Sequence, residues 1–145
     1  MLTTEQLLKI ALLTDTVLYP EAVAFIRQLV NEEESDPLPL SQVNGLLNVA
    51  ASSKYSELYT FVVHQRDRNW PQSKADIKKF CAALERYLTN MQRRRLKDEF
   101  HLVTDGLNGS DARRESEELM AAMAYDFIQH LVAENDLLDK TTRRR

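Results

Sequence analysis

The stretch from Ser73 to Asp105 contains neither glycine nor proline, and the whole chain of 145 residues holds only three glycines and four prolines. A chain this poor in backbone breakers has few places to turn, so long helices joined by short loops are the natural solution. Within the stretch, Ile77, Phe80, Leu84, Tyr87, Leu88 and Met91 recur at helical spacing. Ser73 and Asp76 suit the start of a helix, and Gly106 suits its end. The pattern predicts one helix from Ser73 to about Asp105.

Five more helices follow from the same reasoning. Thr3 and Gln6 stand at capping-box spacing, ahead of a helix over 4–17 with Leu7, Ile10, Ala11 and Thr14 on one face. Pro20 opens the second, because its missing N–H costs nothing at a first helical position. Val23, Ile26, Leu29 and Val30 form the apolar face of that helix. Residues 32–37 (Glu32, Glu33, Glu34, Ser35, Asp36, Pro37) then make an exposed acidic loop. Ser41 caps a short third helix carrying Val43, Leu46, Leu47 and Ala50. The fourth covers about 53–69, with Tyr55, Leu58, Tyr59, Val62 and Val63 inward, and Trp70-Pro71 ends it. The sixth runs over about 110–136, with Leu119, Met123, Phe127, Leu131 and Glu134 in register. No segment alternates as a strand would. The expectation is an all-α, single-domain helical bundle of about five to six helices over 1–140, followed by a basic disordered tail over 141–145.

Composition narrows the class. A chain of this length can bury a core without disulfides or metal, and the single cysteine, Cys81, excludes an internal disulfide framework. No apolar run reaches the ~20 residues needed to cross a bilayer. Met1-Leu2-Thr3-Thr4-Glu5 lacks the basic region of a signal peptide. A cytoplasmic protein with no membrane partner is the expectation.

Catalytic patterns are sparse. There is no phosphate-binding glycine loop, dinucleotide fingerprint or H-E-x-x-H. Asp98 and His101 stand three apart, and Asp126 and His130 four apart, so each pair could face a metal. A carboxylate-bridged di-metal bundle needs two Glu-x-x-His copies, and Phe127 stands three before His130. Cys81 lies near the apolar side of a long helix, which reads as a structural thiol rather than a nucleophile. Glu115, Glu117 and Glu118 lie in the first turns of the last helix, where the helix dipole favours them. No catalytic residue, metal or cofactor is expected.

Charge carries the functional signal. The net charge is −3, but it is segregated. Residues 1–63 carry a net −5, residues 64–97 a net +7 and residues 98–145 a net −5. Taking Ile77 as zero and advancing about 100° per residue, the apolar side chains cluster between about 280° and about 20°. On the same count Lys79 and Lys97 fall at about 200°, Arg86 at about 180° and Arg93 at about 160°. They form one line opposite the core, roughly 27 Å long. Lys78, Arg94, Arg66 and Arg68 flank it. A charged helix face is ordinarily just solvated. Here the charges share one sign over several turns, so they repel one another and do not stabilise the helix as pairs. Phosphates of a single strand could follow the line, with salt-sensitive and largely sequence-independent binding. Trp70, Tyr55 or Tyr59, if exposed, could stack on a base. A docking face for an acidic protein is the alternative. The acidic ends oppose free nucleic-acid binding and point to a larger assembly that supplies affinity.

Three segments carry a resemblance. They are Leu38-Pro39-Leu40-Ser41-Gln42-Val43-Asn44-Gly45-Leu46-Leu47, then His64-Gln65-Arg66-Asp67-Arg68-Asn69-Trp70, then Arg93-Arg94-Arg95-Leu96-Lys97-Asp98-Glu99-Phe100-His101-Leu102-Val103. Over about residues 38–138 the chain resembles the small, all-helical subunit of CRISPR effector complexes, most closely the C-terminal small-subunit region of the type I-D large subunit. The resemblance implies a non-catalytic subunit of a crRNA-guided, Cascade-like complex. Its partners would be the large subunit, the backbone subunits, crRNA, target DNA and other copies of itself. It would hold target or displaced strands by their backbones and brace the large subunit against the backbone subunits. In some systems such subunits arise from an internal start in the large-subunit gene, a role Met1 could fill. The pI of about 5.6 is lower than in many such subunits, so binding is expected to lean on the assembly.

Overall fold

The computed structural model describes residues 1–52 and 54–143, with side chains through Asp139. Among the described residues there are five helical rods and no strand. The architecture is an all-α bundle, as the spacing of apolar residues predicts.

Helix α1 joins Thr4–Leu13, Thr14–Leu18, Tyr19–Arg27 and Gln28–Glu32 into one rod over residues 4–32. The two helices expected on either side of Pro20 are therefore one. Tyr19 N–H donates to the Thr14 carbonyl, one residue further back than in an α-helix. This widened turn lies just ahead of Pro20. In a regular helix the proline ring would meet the carbonyl four residues back, and local widening relieves that clash. The capping box forms, with Gln6 N–H donating to Thr3 Oγ1 at 3.1 Å and Thr3 N–H donating to Gln6 Oε1 at 2.9 Å. The buried face, however, is Gln6, Ile10, Leu18, Ala22, Ile26 and Leu29. Leu7 and Ala11, expected inward, are exposed. Gln6 Nε2 donates to the Leu102 carbonyl at 2.9 Å and to Glu115 at 3.1 Å, which fixes the rotation of the rod.

The acidic loop is pinned rather than free. Glu34 takes a positive φ of 54° and Ser35 is buried. Asn135 brackets Leu38, accepting from its N–H at 2.8 Å and donating to its carbonyl at 3.0 Å. Helix α2 is Leu40–Ser52, so Ser41 lies inside it and does not cap it. Helix α3 is Tyr55–Asp67. The expected start at Ser53 lies outside the described residues.

Helix α4 covers residues 72–99 as a short 3-10 turn, Gln72–Lys74, an α-helix, Ala75–Asn90, and a π-helical end, Met91–Glu99. It stops before the expected Asp105. Phe100 N–H donates to the Arg95 carbonyl and Leu102 N–H to the Leu96 carbonyl, both at 2.8 Å, while His101 adopts φ 52°. A left-handed residue is the usual stop for a helix, though glycine more often fills it. Gly106 instead turns the loop that follows, with φ 83°.

Helix α5, Gly109–Arg143, packs against all four other rods. Leu119, Met120, Met123, Ala124, Phe127, Ile128 and Leu131 are all buried, so two adjoining stripes of this helix face protein. It runs beyond the expected Asp136. Thr141, Thr142 and Arg143, expected in the disordered tail, have helical backbone. Arg144 and Arg145 lie outside the described residues. No helix among the described residues is long and apolar enough to cross a membrane.

Candidate nucleic-acid interface

The basic face belongs to α4. Ile77, Phe80, Cys81, Leu84, Leu88 and Met91 bury its inner side against the bundle. Lys78, Lys79, Arg86, Arg93, Arg94 and Lys97 are all exposed. The single line expected of them changes shape at Asn90. A π-helix bonds five residues back, so each residue turns roughly 80° about the axis instead of about 100°. Burial follows that slower turn, because Arg95, Leu96 and Phe100 all face inward after Met91. On this count Arg94 comes to about 190° and continues the line of Lys79 and Arg86. Arg93 and Lys97 swing to about 110° and about 70°, beside Lys78 at about 100°. One stripe becomes two rows.

Between the parts of the second row lies Glu85, whose charge is already engaged. Tyr59 Oη donates to it at 2.7 Å, Thr89 Oγ1 at 2.9 Å, and Arg66 Nη1 stands 3.6 Å away. The hydrogen bond from Tyr59 is the main reason its carboxyl is held below the usual range. Arg66 also forms a two-pronged contact with Asp67, at 2.8 and 3.1 Å. Arg68 rests over the Trp70 ring, 4.6 Å from its centroid. Both flanking arginines lie at the C-terminal end of α3, partly spoken for by these neighbours. Arg94 Nε donates to Asn90 Oδ1 at 3.2 Å.

None of the aromatic side chains nominated for stacking is fully exposed. Tyr55 is buried, Tyr59 is half-buried with its hydroxyl on Glu85, and the Trp70 indole N–H donates to the Gln65 carbonyl at 2.6 Å. Burial pushes the Tyr55 hydroxyl far up from its ordinary range.

The residue that sequence reasoning missed is Arg95. It stands in a run of three arginines, yet only 7% of it is exposed. Its two terminal nitrogens donate to both oxygens of Glu21, at 2.7 and 2.8 Å, and Nε donates to Glu99. Tyr87 Oη donates to the same Glu21 at 2.7 Å, and the Phe100 ring lies 4.8 Å beneath the guanidinium. Burial alone would raise the Glu21 carboxyl, but the hydrogen bonds from Arg95 and Tyr87 and the Arg95 charge outweigh it, leaving the group below its ordinary value. This knot ties the middle of α1 to the π-helical end of α4, and so sets how Arg93, Arg94 and Lys97 are presented. The only sequence signal for it is that Arg95 falls near Phe100 and Leu96 once the helix is unwound.

The other chemical candidates are dispersed. Asp126 accepts from Thr14 Oγ1 at 2.7 Å, and His130 meets the Tyr19 ring edge-on at 4.8 Å. His101 sits beyond the end of α4, its carbonyl accepting from Lys9 Nζ at 3.2 Å. Among the described residues no three His, Cys, Asp or Glu side chains gather where a metal ion would be held. Cys81 is buried, which pushes its thiol up to about 12. The glutamates at the start of α5 do more than answer the helix dipole. Glu115 accepts from Thr104 N–H at 2.9 Å and Glu117 from Ser56 N–H at 2.8 Å.

A second surface is apolar. Leu7, Leu8 and Leu12 are 52%, 67% and 63% exposed on the first turns of α1. Leu7 also lines an open groove with Ala50, Ala51, Ala121, Ala122 and Tyr125. Compared with protein-family models, curated proteins and solved structures, the chain matches none.

Proposed function

We propose that this chain is a non-catalytic binding module that grips nucleic-acid backbone through the outer face of α4, as a small subunit of a larger guide-RNA complex. The observation that carries the reading is the face itself: Lys78, Lys79, Arg86, Arg93, Arg94 and Lys97 are all exposed on one helix of a protein whose net charge is negative. Such groups neutralise phosphates and release counterions, which gives affinity without base readout. Arg66 and Arg68 would add contacts at one end, at the expense of their present partners. In a guide-RNA complex, base pairing reads the sequence, and backbone contacts of this kind tip a near-balanced strand exchange. The finer assignment to a CRISPR small subunit, in the cytoplasm and beside large and backbone subunits, rests on the resemblance of residues 38–138 alone.

The exposed leucines of α1 support the assembly. An apolar patch on a small protein marks a contact with another protein, and it lets a neighbour supply the affinity that the acidic ends withhold. The same patch keeps a second reading in play, a helical adaptor that docks an acidic protein by its basic face and never meets nucleic acid. One experiment separates the two. The protein is recovered from its native cells with and without nuclease treatment, and bound RNA is sequenced. Recovery of short repeat-derived guide RNAs with large companion proteins supports the guide-RNA reading. Protein partners alone, unchanged by nuclease, would replace it with the adaptor.

A further inference from the structure

We infer that, granted the nucleic-acid reading above, the ligand of α4 is a double helix held by the phosphates of both its strands, and not a single strand. Two independent observations lead there. The first is the splitting of the basic face. Counted at the α turn to Asn90 and the π turn beyond it, Lys79, Arg86 and Arg94 fall in one row and Lys78, Arg93 and Lys97 in another, about 90° away around the helix. All six are exposed. A helix with its side chains is about 10–12 Å across, so side chains about 90° apart carry their charges about 8 Å apart. The grooves of a double helix are about 6 and about 12 Å wide between their phosphate walls. A rod lying along or across a groove can therefore offer one row to each strand. A single strand carries one line of phosphates and can satisfy only one row at a time.

The second observation is the lack of a stacking platform. Proteins that hold single strands without sequence preference combine a basic groove with aromatic side chains on which successive bases stack, and that stacking supplies much of the affinity. Among the described residues no phenylalanine, tyrosine or tryptophan ring of α3, of α4 or of the loop between them is exposed. Tyr87 is half-buried and stacked on Phe127, 3.9 Å between centroids and 8° from parallel. Phe100 is buried under Arg95, Tyr55 is buried, Tyr59 is held by Glu85, and Trp70 is covered by Arg68. Tyr19 is the exposed large aromatic, and it sits on α1 against His130. The face offers charge and shape without stacking, which suits a ligand whose bases are already stacked on one another.

The test is fluorescence anisotropy of the full chain against three labelled probes of about 24 nucleotides or base pairs, at about 50 mM salt. The probes are single-stranded DNA, duplex DNA and an RNA–DNA hybrid. Two triple variants accompany the wild type: Lys79→Ala/Arg86→Ala/Arg94→Ala for one row and Lys78→Ala/Arg93→Ala/Lys97→Ala for the other. Circular dichroism establishes that both remain helical. The expected result is at least tenfold tighter binding of a duplex or hybrid than of the single strand, with a similar loss of duplex affinity in each variant. Equal or tighter binding of the single strand would sink the inference and leave the nucleic-acid reading standing. So would a loss confined to one row. Binding to none of the three probes would also overturn the inference, because the two rows would then not hold a duplex by themselves; the nucleic-acid reading itself stands or falls on the nuclease experiment above.

Discussion

The two ends of α4 obey different rules. Over Ala75–Asn90 the helix is regular, and the apolar side chains fall inward where a 3.6-residue period puts them. Over Met91–Glu99 it is π-helical, and a charged side chain, Arg95, turns inward with Leu96. The first end is held by hydrocarbon. The second adds a guanidinium fastened to Glu21 and Glu99. The lesson is that three successive arginines can do different work: Arg93 and Arg94 face solvent, while Arg95 fixes the backbone that presents them. π-Helical turns often mark functional sites, because they re-aim the side chains that follow.

The largest expected effects ask whether the π-helical end packs as firmly as the regular one. Leu84 and Leu96 are both fully buried. Leu84→Ala and Leu96→Ala should each cost about 2–5 kcal/mol in urea unfolding, the usual range for a buried leucine that leaves a cavity. A cost for Leu96→Ala below about 1 kcal/mol would mean that residues 91–99 merely fray, and the comparison would collapse.

Next in size is Arg95→Met. It keeps apolar bulk over Phe100 but removes the charge that faces Glu21, leaving that carboxylate to the Tyr87 hydroxyl. Breaking a fully buried pair costs about 3–5 kcal/mol. Glu21 keeps contact with solvent, its side chain being 36% exposed, so about 2 kcal/mol is expected after that screening. Arg93→Ala and Arg94→Ala should leave the urea midpoint where it is. Three arginines with equal effects would erase the distinction between presenting and presented residues.

Acid titration sharpens the same point. The Glu21 carboxyl is held below its ordinary value of 4.5 in the folded protein. The unfolded chain therefore takes up the proton first as pH falls. The stabilisation is complete above the ordinary value and is lost as pH drops through the lower, folded value. The wild type should lose stability below about pH 5, and Arg95→Met should show a shallower loss over the same range. Parallel curves would place the acid sensitivity elsewhere, Glu115, Glu85 and Asp67 being the other carboxyls held low.

How much of this was legible follows from which rule governs each residue. Ile77, Phe80, Leu84 and Leu88 obey simple periodicity and could be assigned inward from spacing alone. So could Leu119, Met123, Phe127 and Leu131 in α5. Pro20 misled because the favourable first-turn position and a widened turn ahead of a proline look identical in sequence. The stop at His101 was hidden because it uses a left-handed histidine where a glycine is the readable sign, and Gly106 five residues later drew the boundary too far. Of the basic face, the exposure of its cations was legible, but their arrangement was not. The regular helical turn carried past Asn90 puts Arg93 in the line and Arg94 beside it. The slower π turn exchanges them.

That exchange gives the smallest effect, one that leaves stability untouched. If Lys79, Arg86 and Arg94 share a row, each should contribute one phosphate contact, and each single alanine variant should lower the salt slope of duplex binding by about one. On the regular-helix count, Arg93 belongs in that row and Arg94 does not. Double variants decide between the two. Residues in one row meet the same strand, so Arg86→Ala/Arg94→Ala leaves two of that strand's contacts empty, and the remaining row can slide to recentre. Arg86→Ala/Arg93→Ala weakens both rows once and leaves the register fixed. The first pair should therefore lose less affinity than the sum of its single variants, and the second pair should add, since non-additivity marks residues that share a partner. The reverse ordering would restore a single straight stripe and, with it, a regular helix through Arg95.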